Sequence, residues 1–214
     1  MTTSADRVDQ GLIAQVTDYV KEYMSHYDGS HDFNHILRVL RLSHQLHAAS
    51  VDASSLSRDV VTLSALLHDV GDRKYLRPGE DADRLVHDVL VSLGAPEDLA
   101  RRVQTICLGV SYSSEVRDPA RVTALIAEHP ELAVVQDADR LDAIGAVGVG
   151  RCFAFGGAKG RDLQSSMDHF EEKLVRIEGM MKTDAGRVMA RERTRRIRLM
   201  QEWWREETDI HDTA

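Results

Sequence analysis

The amino-acid sequence predicts an all-α protein, a helical bundle forming one domain over residues 1–214. Three observations carry this expectation. Apolar residues recur every three or four positions along most of the chain. Only four of the 214 residues are proline, so few breakers interrupt that rhythm. No alternating strand pattern of useful length, internal repeat or low-complexity linker intervenes.

Leu12, Ile13, Val16, Val20, Tyr23 and Met24 share helical spacing and predict a first helix over about 5–26. A turn-like stretch, YDGSHDFNH, follows. A second helix opens near Asp32 and runs to about Ala49, with Phe33, Ile36, Leu37, Leu40 and Leu46 on its apolar side. The serines of SVDASSLS suit a helix N-cap, and a third helix over about 55–69 carries Leu56, Val60, Leu63 and Leu67. Gly71, Pro78 and Gly79 make 71–80 a loop. Leu85, Val86, Val89, Leu90 and Leu93 mark a helix that Gly94 closes, and Pro96 suits the first turn of the next. GVSYSSEVRDPA reads as irregular. Helical spacing returns over about 121–128 and 131–145. GVGRCFAFGGAKG reads as a short helix and a glycine-rich loop, with Lys159 in a turn rather than a lid. Two long helices, at about 164–181 and 184–207, pack onto the rest.

Composition narrows the function. Hydrophobic residues make up 43% and charged residues 29%, the balance of a soluble globular chain. The net charge of −8 disfavours a duplex nucleic-acid partner, which calls for a basic face. The arginines of GRVMARERTRRIRLMQEWWREE are interleaved with Glu192, Glu202, Glu206 and Glu207, so that segment reads as a solvated helix. Its packing stripe is Val188, Met189, Ile197, Met200, Trp203 and Trp204. Cys107 and Cys152 form no CxxC pair, which points to reduced thiols in a cytoplasmic protein. The polar N-terminus is no signal peptide, and no run approaches the ~20 apolar residues of a membrane span.

The chemistry begins at LSALLHDVGDRKY, residues 63–75, where an apolar run delivers His68 and Asp69 side by side. The dipeptide His-Asp also occurs at 31–32, 87–88 and 211–212, so context must choose among the four. His211 lies in a polar tail, and His87–Asp88 fall on the polar side of an amphipathic helix. His68 and Asp69 end a helix that reads as buried, where an ionised carboxylate needs a cation or a hydrogen-bond partner. A structural network or a metal ion would each meet that need. HDFNHILRVLRL places His35 amid apolar neighbours, with His31 four residues earlier on the same face if the helix already includes it. AVVQDADRLDAIGAVG repeats the grammar and delivers Asp137 and Asp139 inward. A bundle can aim one His, a His-Asp pair and one later Asp at a common point. Two nitrogens and two oxygens suit a hard or borderline divalent ion rather than a thiolate-seeking one.

HDFNH, LSALLHDVGD and VQDADRLDAIG, in this order and spacing, resemble the HD-domain metal-dependent phosphohydrolase superfamily, most closely its small bacterial branch of nucleotide phosphohydrolases. The similarity spans about 20–160, with a weaker echo in DHFEEKL. It implies a bundle of HD-domain type and one divalent ion (Mn, Mg, Co, Ni or Fe) held by His35, His68, Asp69 and Asp139. Asp139 is preferred to Asp137 because ADRL resembles the last motif; Asp137 then caps the helix or supports the site from behind. The resemblance further implies hydrolysis of a small nucleotide, with cleavage of a nucleoside triphosphate to monophosphate and pyrophosphate as the specific expectation.

In such a site Asp72 would orient or deprotonate water, unless it merely pairs with Arg73 or Lys74. Lys74 is the candidate phosphate contact, with Arg38, Arg140, His31 and His169 as further substrate contacts, each also open to a bland structural role. A non-catalytic nucleotide or metal sensor is the competing class, although no output domain is attached. A two-iron oxygenase would need further ligands that His44, His47 and His129 do not obviously supply. Loops 73–81 and 109–120 would set base preference. A homodimer is compatible with the helical surfaces, but no decisive stripe marks one.

Overall fold

The computed structural model describes residues 8–27, 29–73 and 76–209. Among the described residues it is all-helical, with α1 Gln10–Met24, α2 Phe33–Ala48, α3 Arg58–Leu67, α4 Leu85–Ser92, α5 Glu97–Val110 and α6 Tyr112–Arg117. There follow α7 Pro119–Glu128, α8 Glu131–Asp142, α9 Gly145–Ala158, α10 Leu163–Glu172, a 3₁₀ helix Leu174–Met180, and α11 Asp184–Thr208. The chain divides into two compact units. The first runs up to Tyr27 and then over His31–Asp139; the second joins the turn ending at Ser30 to the chain from Arg140 onward.

The first unit is organised around α3. Every residue from Val60 to Leu67 is buried, so this helix has no polar face and must be covered on all sides. α1, α2 and α5 pack against it. α1 contributes Val16, Val20 and Met24, spaced by four. α2 contributes Ile36, Val39, Leu42 and Leu46, whereas Leu37, expected on the apolar side, is 42% exposed.

α8 is seated by three contacts. Its first residue, Glu131, is fully buried, and one carboxylate oxygen accepts from the Ser57 N–H and from Arg102 Nη2, both at 2.8 Å. Two donors, one charged, offset the burial of this oxygen, while Oε2 is buried with no hydrogen-bond partner among the described residues. At the next residue α8 meets α5 at Gly109, where a Cβ would lie 2.7 Å from Leu132 Cδ2. Gln136 Nε2 then donates to the Gly109 carbonyl at 3.0 Å. The next turn carries Asp139.

The second unit packs α11 on α9 and on the 3₁₀ helix, with α10 against both of the latter. Gly186, Ala190, Thr194 and Ile197 form the buried stripe of α11. Arg151 ties the unit's short turn to its longer segment, donating to the Ser30 carbonyl at 2.7 Å and to Asp142 Oδ2 at 2.9 Å.

Four sequence expectations need correction. GVSYSSEVRDPA is not irregular: it contains α6, capped by Ser111, and the first turn of α7, capped by Asp118. Gly148, Gly150, Gly156 and Gly157 of GVGRCFAFGGAKG lie within α9 rather than in a loop, and only Lys159 and Gly160 form the turn that follows it. Gly156 permits close packing, since a Cβ there would collide with Ser166 Oγ of α10. The helix expected over 164–181 breaks at Lys173 and continues as 3₁₀. Val188 and Trp203, assigned to the packing stripe of α11, are 59% and 54% exposed. No single helix among the described residues is long and apolar enough to cross a membrane.

Candidate metal centre

Asp32 starts the site by ending a turn. Its carboxylate accepts the backbone N–H of His35 at 3.0 Å, the side-chain cap expected of Asp at this position. The cap fixes the first turn of α2 and leaves His35 fully buried on its inner side. His31 precedes the helix rather than belonging to it. Its ring nonetheless meets that of His35 edge-on, with centroids 5.9 Å apart.

α3 stops at Leu67, and His68 is its C-cap. His68 Nδ1 lies 2.9 Å from the Ala65 carbonyl. A carbonyl can only accept, so Nδ1 carries the proton and a neutral His68 turns the lone pair of Nε2 away from its own helix. Asp69 follows in a tight turn, Asp72 N–H bonding back to the Asp69 carbonyl at 3.3 Å. Gly71, with φ +80°, makes that turn possible, because a side chain is disfavoured in the left-handed region. The spacing HDVG therefore puts both groups at the end of a buried helix rather than inside it.

Three of the four expected groups, His35, His68 and Asp139, form one cluster, and Asp69 lies against both imidazoles. His35 Nε2 is 3.2 Å from His68 Nε2, 3.2 Å from Asp69 Oδ2 and 3.6 Å from Asp139 Oδ1. His68 Nε2 is 3.5 Å from Asp69 Oδ1 and 3.8 Å from Asp139 Oδ1. Ligand atoms of His35, His68 and Asp139 all lie within 4.8 Å of one another, a cluster able to hold a metal ion. Ligands about 2.1 Å from an ion stand roughly 3 Å apart when adjacent around it, close to the observed separations.

Chemistry supports the same fit. One proton on His35 Nε2 could serve only one of three nearby acceptors. Asp69 Oδ2 is buried, and among the described residues no donor is aligned to hydrogen-bond with it. A set of converging lone pairs with too few protons is satisfied by a cation. Burial would raise the Asp69 carboxyl, but His68, His35 and His31 outweigh it and hold it well below the usual range. Cys107 takes no part: its thiol is buried, faces the Ser64 carbonyl at 3.8 Å, and is pushed far up by burial and then by Asp69.

Residues 32–144 match the HD domain, more than half of the 214-residue chain. The chain belongs to the HD-domain family. Bacillus subtilis YpgQ is 37% identical over 190 residues, covering 84% of this chain and 85% of YpgQ. The crystal structure of YpgQ in complex with ADP superposes with a TM-score of 0.72 at 32% identity, over 93% of this chain and 96% of that one. An HD-superfamily hydrolase from Bacillus thuringiensis gives 0.67 at 30% identity, over 92% and 97%.

Within this HD domain, Asp72 lies three residues beyond Asp69, half-buried. Arg73 pairs with Asp83 at 3.2 Å instead of with Asp72. Lys74 lies outside the described residues. Arg38 is on α2, three residues past His35, and is half-buried. Asp137 is fully buried in the middle of α8, so it caps nothing. Arg140 is 2% exposed, which removes the surface salt bridge as its role. His169 belongs to the second unit, on α10, 3.4 Å from Glu172.

The sequence reading missed Tyr27. Its hydroxyl is buried, and its phenol is pushed far up by burial, then by Tyr23, then by the charges of Asp69 and Asp72. The charges of Asp69 and Asp72 therefore reach its phenol. Tyr19, Tyr23 and Tyr27 recur at intervals of four and their rings meet in series, the first pair stacked and the second tilted, with centroids 5.9 and 5.8 Å apart. That YxxxYxxxY spacing was the available signal.

Proposed function

We propose that this HD domain is a divalent-metal-dependent phosphohydrolase acting on a small nucleotide, with nucleoside triphosphate to monophosphate plus pyrophosphate as the specific reaction. The observation that carries the proposal is the approach of two imidazole nitrogens and two carboxylates, with a buried Asp69 oxygen that has no aligned donor among the described residues. The ADP bound to YpgQ supports a nucleotide as the class of ligand.

His35, His68, Asp69 and Asp139 would hold one ion, of a metal that accepts mixed nitrogen and oxygen ligands, such as Mn, Mg, Co, Ni or Fe. Bound there, it would lower the pKa of water and polarise a phosphoryl oxygen. Asp72 orients the attacking water and takes its proton. Attack falls on the α-phosphorus, the bond from that phosphorus to the α–β bridging oxygen breaks, and pyrophosphate leaves. His31, in the turn before α2, and Arg38, on α2, would meet substrate. Lys74 is the remaining candidate for phosphate, and Tyr27 can donate its phenolic proton, since its neighbours keep it un-ionised.

The test is a release screen over nucleoside mono-, di- and triphosphates, with Mn²⁺, Mg²⁺, Co²⁺ and Ni²⁺ each set against a chelator control. Metal-dependent pyrophosphate is the expected product. Orthophosphate in its place would redirect the reading to a phosphatase. Tight binding of metal and nucleotide with no turnover under any condition would replace the enzyme by a non-catalytic sensor.

A further inference from the structure

The arginines of α11 divide into two sets. Arg195 and Arg196 both pair with Glu192, at 2.9 and 3.1 Å. Arg193 donates to the Leu141 carbonyl, and Arg205 to the Gln201 carbonyl. These groups are already satisfied. Arg187, Arg191 and Arg198 instead line a cleft of about 400 Å³, joined by Arg176 from the 3₁₀ helix. Spacings of four and seven put the three α11 residues on one side of the helix. All four are exposed.

Charge in the cleft is out of character for the chain. Glu178 is the acidic group in its wall, so four guanidinium groups face one carboxylate, in a protein of net charge −8. Arg176, Arg191 and Arg198 make no ion pair among the described residues. Arg187 pairs with Asp184 at 2.6 Å, an exposed pair of the kind that contributes little and yields readily to a competing anion. Like charges gathered on one concave wall raise the local potential and draw in counter-ions. Guanidinium forks match phosphate oxygens two at a time, and the volume lies at the small end of small-molecule sites. A long polyanion fits less well, because Asp184, Glu192, Glu202 and Glu206 flank the same helix.

From these observations we propose that the cleft is a second ligand site, which binds the polyphosphate portion of a small molecule. It shares no residue with the His–Asp cluster and does not depend on the reaction assigned to that cluster.

Isothermal titration of the full chain with tripolyphosphate tests this, in chelator, using the His68→Ala variant beside the wild type so that the metal centre contributes nothing. One saturable site per chain is expected in both proteins. Arg191→Ala with Arg198→Ala should weaken it by roughly tenfold or more, since each loses a charge-assisted contact. Arg191→Lys, which keeps charge but loses the fork, should fall between. Arg195→Ala, on the satisfied set, should bind as wild type, and thermal melts check that every variant folds. ATP as titrant identifies the source: tighter binding than tripolyphosphate assigns a nucleotide, equal or weaker binding assigns the polyphosphate chain alone. No saturable binding, equal binding by the double variant, or tighter capture of a single-stranded oligonucleotide by the same arginines overturns the proposal.

Discussion

His68–Asp69 and His87–Asp88 are the same dipeptide in the same compact unit, and they do opposite things. His68 ends a buried helix, gives its Nδ1 proton to a backbone carbonyl and turns a lone pair toward two carboxylates and a second imidazole. His87 stands in α4, with Asp88 on one ring nitrogen at 2.8 Å and Glu97 on the other at 2.9 Å. Both of its nitrogens face acceptors, which favours its protonated form. Asp69 sits where burial and three histidines set its charge; Asp88 is exposed and also meets Arg84 at 3.4 Å. Residue identity therefore does not make a site. Direction does: a helix end that aims lone pairs inward builds a cation receptor, whereas a helix face that aims them outward builds a surface ion network.

The largest expected effect separates the two pairs by function. His68→Ala should abolish stoichiometric metal and lower turnover by about a thousandfold, equivalent to several kcal/mol of lost transition-state stabilisation. His87→Ala should leave metal content and turnover unchanged. Mass-spectrometric metal analysis on both purified variants checks this, and equal loss in the two would erase the distinction.

Next comes Asp72, which extends the inward-facing pair by one turn. Asp72→Asn should reduce kcat by about a hundredfold or more, the range of general-base contributions, with metal stoichiometry intact. Unchanged kcat would confine chemistry to the four clustered groups.

How much of this was legible follows from the physics of each signal. The cluster could be read because a buried carboxylate is costly and advertises itself: an apolar run ending in charge at 63–69, and again at 132–139, has few bland explanations. α2 and α3 were legible through period and caps, Asp32 and Ser57 standing where the sequence put them. α6 was not, because six residues are too short to show a 3.6-residue period. α9 hid behind its glycines, whose low helix propensity is overridden where Gly156 lets α10 approach. Tyr27 escaped because its burial, and the two charges that reach it from more than forty residues away in sequence, are set by tertiary packing that its YxxxYxxxY spacing does not record.

A third, smaller effect lies in the turn that makes the two dipeptides differ. Gly71→Ala forces a side chain into φ +80°, which should cost about 1–2 kcal/mol. Space is not the obstacle, since the nearest atom to the new Cβ is 3.5 Å away. Equilibrium unfolding in urea should show the loss, and metal affinity should fall with it as Asp69 shifts. Glycine at 94, which closes the helix of the exposed pair, has φ +89° as well. Gly94→Ala should destabilise comparably and spare metal affinity.

The smallest effect concerns pH and the exposed pair alone. Hydrogen bonds to Asp88 and then Glu97 raise the His87 pKa above its usual 6.5. A raised value means the folded state holds the proton more tightly, so the contribution to stability is complete below 6.5 and disappears as pH rises through the folded value. The melting temperature of wild type should therefore exceed that of His87→Gln at about pH 6, and the two should converge near pH 9. The gap should also shrink with salt, because the network is exposed. A gap that instead widened as pH rose would mean His87 is neutral in the folded protein, and the contrast between the two dipeptides would lose its electrostatic basis.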